Sequence, residues 1–143
     1  MLKFQVSWLA LVVVALVNFF LSWFFYSPAV PWFKTWLAGI GSDPNKTGPT
    51  DEEKKAMPRL MGGALVATFV FSYGLQVLVY SLGATTFWSG ALVGLVCWAA
   101  FSVTHSLNSQ FEGRKPVVLV LNNVLYLITY AGFGGLIAVF GKP

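Results

Sequence analysis

Between Arg59 and Glu112 the chain carries no aspartate, glutamate, lysine or arginine, and residues 5–27 and 116–140 lack them too. A helix needs roughly 20 consecutive apolar residues to cross a hydrocarbon core about 30 Å thick. Four stretches meet that length: 5–27, 59–82, 87–110 and 116–140. Composition agrees, with 57% hydrophobic and 10% charged residues where soluble domains have roughly 25% charged. The expected fold is therefore an all-α membrane protein. Residues 1–143 form one domain of four transmembrane helices in an antiparallel bundle, with the lipid bilayer as its first partner.

The connections set the order of the helices. Only "GATT", residues 83–86, separates the second and third spans, which makes them a tight hairpin. In "FEGRKP", residues 111–116, Gly113 suits the left-handed end of one helix and Pro116 the first turn of the next. With four spans, loops 28–58 and 110–116 share one side. Lys34, Lys46, Lys54, Lys55, Arg59, Arg114 and Lys115 all lie there, while only Lys3 and Lys142 lie opposite. The positive-inside rule makes 28–58 a cytoplasmic loop in a cell (inner) membrane and puts both termini outside. The net charge of +4 is explained by these flanking residues, so no nucleic-acid partner is expected. The first apolar run is read as a retained span, because it exceeds the 7–15 residues of a signal h-region.

Loop 28–58 has structure of its own. "VPWFKTWLAGIG" (30–41) spaces Trp32, Phe33, Trp36 and Leu37 as one helical face, the pattern of a short amphipathic segment. Trp32, Phe33 and Trp36 are expected as interfacial anchors between the first two spans. Further on, Thr50 and Glu53 have capping-box spacing, which starts a helix at 51. Pro58 then either kinks that helix or separates it from the second span.

Each span also carries a polar stripe. In "NFFLSWFFYSP" (18–28), Asn18, Ser22 and Tyr26 recur every four residues. Thr68, Ser72, Gln76 and Tyr80 do so on the second span, as do Asn122, Tyr126 and Tyr130 at spacings of four on the fourth. Residues so spaced share a helix face, and a polar face is costly against lipid. At 1.5 Å per residue from the loop side, Asn18 lies roughly 13 Å deep, His105 roughly 8 Å and Asn122 roughly 9 Å. A buried polar cluster of Asn18, Ser22, Thr104, His105, Asn108, Asn122 and Tyr126 is therefore expected in the loop-side half.

His105 is the candidate for a functional role, as an ionisable group inside a span. No second histidine, buried carboxylate or second cysteine accompanies it, so neither a metal nor another cofactor is expected. Cys97 stands alone, which excludes an internal disulfide. In the other half, Gly90 and Gly94 on the third span and Ala131 and Gly135 on the fourth have small-xxx-small spacing. They are expected to be helix-packing positions, within the chain or between copies.

Two stretches carry a resemblance. "FYSPAVPWFKTW" (25–36) and "FEGRKPVVLVLNNVLYLITYAGFGGLI" (111–137) resemble the first-span exit and the last span of the domain of unknown function 1761 family. The resemblance implies a four-span membrane protein along the whole chain and implies no activity.

Two functional readings follow from the residues. The first is a structural or interaction bundle that forms a homo-oligomer. Its alternative is an oligomeric channel or carrier for a small solute or proton, with the solute unspecified. An enzyme is not expected, because all five acidic residues lie in the loops and acid–base chemistry needs paired titratable groups in one site.

Overall fold

The computed structural model describes every residue except Thr47, Lys142 and Pro143; Lys142, counted above for orientation, is outside the described residues. Among the described residues the only regular secondary structure is helical, with helices α1 (Trp8–Phe25), α2 (Phe33–Gly39), α3 (Asp51–Ser81), α4 (Phe87–Phe111) and α5 (Pro116–Leu127). A π-helical turn, Ile128–Gly132, joins α5 to α6 (Phe133–Phe140), and α5 to α6 together make the fourth span. Four helical stretches are thus long and apolar enough to cross a membrane, as expected.

Local chemistry sets the ends. Ser7 caps α1 by accepting from the Ala10 N–H at 3.3 Å. At α3, Thr50 Oγ1 accepts from the Glu53 N–H (3.2 Å) and Glu53 Oε2 accepts from the Thr50 N–H (2.7 Å), a reciprocal capping box. Asp51, Glu52 and Glu53 all sit in the first turn of α3, where the helix dipole favours negative charge. The helix continues through Pro58. The N–H that proline lacks would have bonded to the Lys54 carbonyl, and this whole turn is exposed, so that carbonyl is not sealed in protein without a partner. Gly83 and Gly113 take positive φ (69° and 72°) at the ends of α3 and α4.

At 31 residues, α3 is about 46 Å long, well beyond the hydrocarbon thickness. Its charged residues, Asp51 to Arg59, all lie in the first turns, ahead of the apolar stretch. There Lys46 hydrogen-bonds to Glu53, and this bond, with the Thr50 N–H, holds the Glu53 carboxyl below its usual range. A depressed folded value gives a contribution that is present above the unfolded value and lost as pH falls through the folded one. Amide protection factors at Glu53 and Lys54, corrected for the intrinsic exchange rate at each pH, are accordingly expected to fall on acidification below the ordinary carboxylate range. Protection that does not change there would show that the cap holds without the charge.

Packing divides the bundle lengthwise. On one side α1 lies antiparallel to α3: Ser72 Oγ donates to the Leu11 carbonyl (3.1 Å), the Ser7 N–H to Gln76 Oε1 (3.0 Å) and the Lys3 N–H to Ser81 Oγ (2.7 Å). On the other, α4 lies against α6 and the π turn. The two pairs meet through Val14, Leu75, Val79, Phe133, Ile137 and Ala138, all buried, in the half away from the 28–58 loop. Apolar side chains such as Leu9, Phe20, Val70 and Val96 are exposed on the outside, as a lipid-facing surface requires.

The contact of α4 with the π turn and α6 is as close as backbones allow, and it takes in more residues than the small-residue spacing names. A side chain at Gly90 would overlap the Gly134 carbonyl, and one at Gly94 the Tyr130 carbonyl. Tyr130, Gly134 and Ala138 therefore face α4. Ala131 shares the contact through its Cα, and Gly135 packs on the ring of Phe87, the first residue of α4. The small residues expected at helix-packing positions thus lie in the contact together with Tyr130, Gly134 and Ala138.

Candidate functional site

In the loop-side half the helix pairs diverge, and a cleft of about 740 Å³ lies between them. The α1 stripe turns into it: Asn18, Ser22 and Tyr26 all line the cleft. Asn18 is only 8% exposed. Its Oδ1 accepts from Ser22 Oγ at 3.5 Å, and Tyr26 Oη donates to Asn122 Oδ1 at 2.6 Å. The aromatic residues between these polar positions are thus the flanks of one helix whose polar face looks inward.

The opposite wall is Phe101 of α4 with Tyr126, Thr129 and Tyr130 of α5 and the π turn. Thr129 and Thr68 return their hydroxyl protons to their own helices, bonding the Tyr126 and Leu65 carbonyls. The rings of Phe101 and Tyr130 stack at 5.8 Å, and Tyr126 meets Phe101 edge-on at 5.2 Å. Phe71 closes the deep end, packed edge-on to Tyr130 at 4.9 Å.

At the shallow end α2 folds back under the bundle. The Trp32 N–H donates to the Phe25 carbonyl (2.9 Å) and Trp36 packs on Tyr26 with ring centroids 4.9 Å apart. Phe33 stacks on Trp36, and Gly39 meets Val118 of α5. All three aromatic residues read as interfacial anchors are half-buried on the protein, and Trp36 is part of the cleft wall.

The expected polar cluster divides accordingly. Asn18, Ser22 and Tyr126 line the cleft, and Asn122 joins it through Tyr26. His105 lies one layer behind, stacked on Phe101 (5.5 Å, 8° between planes) and edge-on to Tyr126 (5.4 Å). Its Nε2 is buried and has no hydrogen-bond partner among the described residues. Thr104 and Asn108 depart from the expectation of burial, for both are exposed, and Thr104 bonds only the Ala100 carbonyl of its own helix. Four residues apart, these two share one face, and it is not the face of Ser102 and Ser109, which are buried.

Asn123, which the stripe argument passes over, has more partners than its neighbour Asn122. It binds Ser102 through Oδ1, donates from Nδ2 to Ser106 Oγ (2.9 Å), and its carbonyl accepts the Trp98 N–H (2.9 Å). The doubled amide in "NN" was the available signal: on a helix the two side chains point about 100° apart, so one serves α1 and the other α4.

A family described as "Protein of unknown function (DUF1761)" matches residues 9–138. The chain belongs to this family. The match runs from the first turn of α1 into α6, so every wall of the cleft is built from DUF1761 residues. No curated protein and no solved structure matches the chain.

Proposed function

We propose that this DUF1761 protein is a non-enzymatic integral membrane bundle in which a single protomer forms a binding cleft facing the bilayer. One observation carries the reading: the polar stripes of α1 and α5 converge inside one chain on a shared cleft. A pore shared between protomers would instead need its polar faces on an outer surface. The glycines that offered a contact between copies, Gly90 and Gly94, are already used against Tyr130 and Gly134. Any homo-oligomer is then held by other faces, and binding does not depend on it.

The mouth of the cleft runs along α3, where Met57, Ala64 and Ala67 line it and are exposed. Ala67 lies eight residues beyond Arg59, or about 12 Å along the helix, within the apolar span. A molecule dissolved in the bilayer thus reaches the cleft sideways. The five acidic residues are all exposed outside the cleft, which supports binding over acid–base chemistry. The seven basic residues flanking the loop side support a cytoplasmic 28–58 loop, and with it outer termini in an inner membrane.

Single engineered cysteines in a Cys97→Ser background test both parts. Lys46→Cys is expected to react with a membrane-impermeant maleimide only from the cytoplasmic side, and Lys3→Cys only from outside. A fluorophore on Ala67→Cys is expected to be quenched by doxyl-labelled phospholipid and not by aqueous iodide. Iodide quenching at 67 would mean a water-filled path and favour the pore.

A further inference from the structure

We propose that the cleft binds a membrane-dissolved, uncharged ring compound bearing carbonyl oxygens, of the quinone class. The proposal rests on the bilayer-facing cleft argued above and goes on to name its occupant. Three features of the walls define the chemistry.

First, hydrogen-bond donors are left over. Among the described residues, the hydroxyls of Tyr126 and Tyr130 have no protein partner, and the Asn18 amide is engaged only through its oxygen, by Ser22. Among the described residues the buried unpaired atoms are those of Gln76 and His105, so these three donor groups keep some accessible surface, and all three belong to residues that line the cleft. Donors left to a ligand select acceptors, since a buried donor without a partner costs about 1–3 kcal/mol.

Second, the lining carries no charge. No lysine, arginine, aspartate or glutamate lines the cleft, so a phosphate or carboxylate would lie in an apolar cavity with no counter-ion, at high cost. Carbonyl oxygens accept the same hydrogen bonds with no charge to compensate. This disfavours a phospholipid headgroup and favours a neutral carbonyl compound.

Third, the lining is aromatic. Tyr26 packs on Trp36 at the shallow end, and Phe101, Tyr126 and Tyr130 pack together along one wall. Aromatic faces at an end and along a wall suit a flat ring in offset or edge contact. A volume of about 740 Å³ is also within the roughly 300–1,000 Å³ range of small-molecule sites. The exposed flank at Ala64 and Ala67 leaves room for an apolar tail to run out into lipid.

The test uses the full chain in phosphatidylcholine nanodiscs, titrated with decylubiquinone while tryptophan fluorescence is followed. Trp23 and Trp36 line the cleft, so saturable quenching beyond that of a Trp23→Phe/Trp36→Phe variant is expected. Tyr126→Phe with Tyr130→Phe is expected to raise the half-saturating concentration about tenfold, and Thr104→Ala to leave it unchanged. Because the tyrosines also pack, a second variant avoids the core. Ala67→Trp, at the exposed mouth, should block binding while thermal stability stays at the parent value. Quenching that never saturates, or that is the same in parent, double-phenylalanine and Ala67→Trp proteins, would overturn the proposal. So would native mass spectrometry of membrane extracts showing phospholipid as the occupant that decylubiquinone does not displace.

Discussion

Leucine at position 94 is expected to cost the bundle ~3 kcal/mol or more, beyond the usual 1–3 kcal/mol of an overpacked core. The reason is what the new side chain meets. A Cβ on Gly94 overlaps the Tyr130 carbonyl and lies 2.9 Å from the Ala131 Cα, and backbone cannot rotate out of the way as a side chain does. Two other glycines set the scale. At Gly135 the obstacle is the Phe87 ring, 2.6 Å from a new Cβ, and Phe87 is an exposed residue whose ring can swing aside, so Gly135→Leu should cost less. Gly62 has nothing within 4 Å, and leucine there gains helix propensity of roughly 0.8 kcal/mol. Thermal melts in one detergent should rank stability as Gly62→Leu, then Gly135→Leu, then Gly94→Leu. A Gly94→Leu protein that melts with the parent would show that α4 and the π turn are not in backbone contact.

That ranking marks how far the sequence could be read. The spans were legible because bilayer physics acts on single residues: a charge-free stretch of this length has few other stable folds in water or lipid. Caps were legible for the same local reason, as with Thr50 and Glu53, or Gly113 and Pro116. Register between helices was legible only in part. That α4 meets the fourth span through small residues could be read, but that Tyr130, Gly134 and Ala138 share the contact could not, and nothing in "ITYAG" announces the π turn at Ile128–Gly132. That Asn18 and Asn122 fall in the loop-side half, one lining the cleft and the other joined to it through Tyr26, needs only a count of residues. The angle around the axis was harder, so Thr104 and Asn108 were grouped with His105 although they lie on an exposed face.

The amphipathic segment shows the limit most directly. Trp32, Phe33 and Trp36 have the composition of membrane anchors, and composition alone cannot tell lipid from a protein surface as the partner of an aromatic ring. Here α2 closes the shallow end of a cleft, with Trp36 on Tyr26 and Gly39 on Val118. One consequence runs from fold to site: the backbone-close contact of α4 with α6 holds the bundle together in one half. In the other half, α2 and the Tyr26–Asn122 bond hold the walls at the distance that leaves the cleft.

Asn123→Ala is the second substitution expected to have a large effect, and it should exceed Asn122→Ala. Removing Asn122 loses one hydrogen bond, from Tyr26, whose hydroxyl can turn to the cleft for another partner. Removing Asn123 takes two partners at once from α4, Ser102 and Ser106, and Ser102 is buried. Side-chain hydrogen bonds between membrane helices average about 0.6 kcal/mol and reach about 1.7. The expected loss is therefore ~1–2 kcal/mol for Asn123→Ala against ~0.6 kcal/mol for Asn122→Ala on the same scale. A double-mutant cycle separates this bond from general loosening. Ser102→Ala combined with Asn123→Ala should cost less than the sum of the single variants, while Ser109→Ala, which shares no bond with Asn123, should add to it without coupling. Strict additivity for Ser102 and Asn123 would mean that Asn123 does not join α4 to α5, and the α4 wall of the cleft would then depend on apolar packing alone.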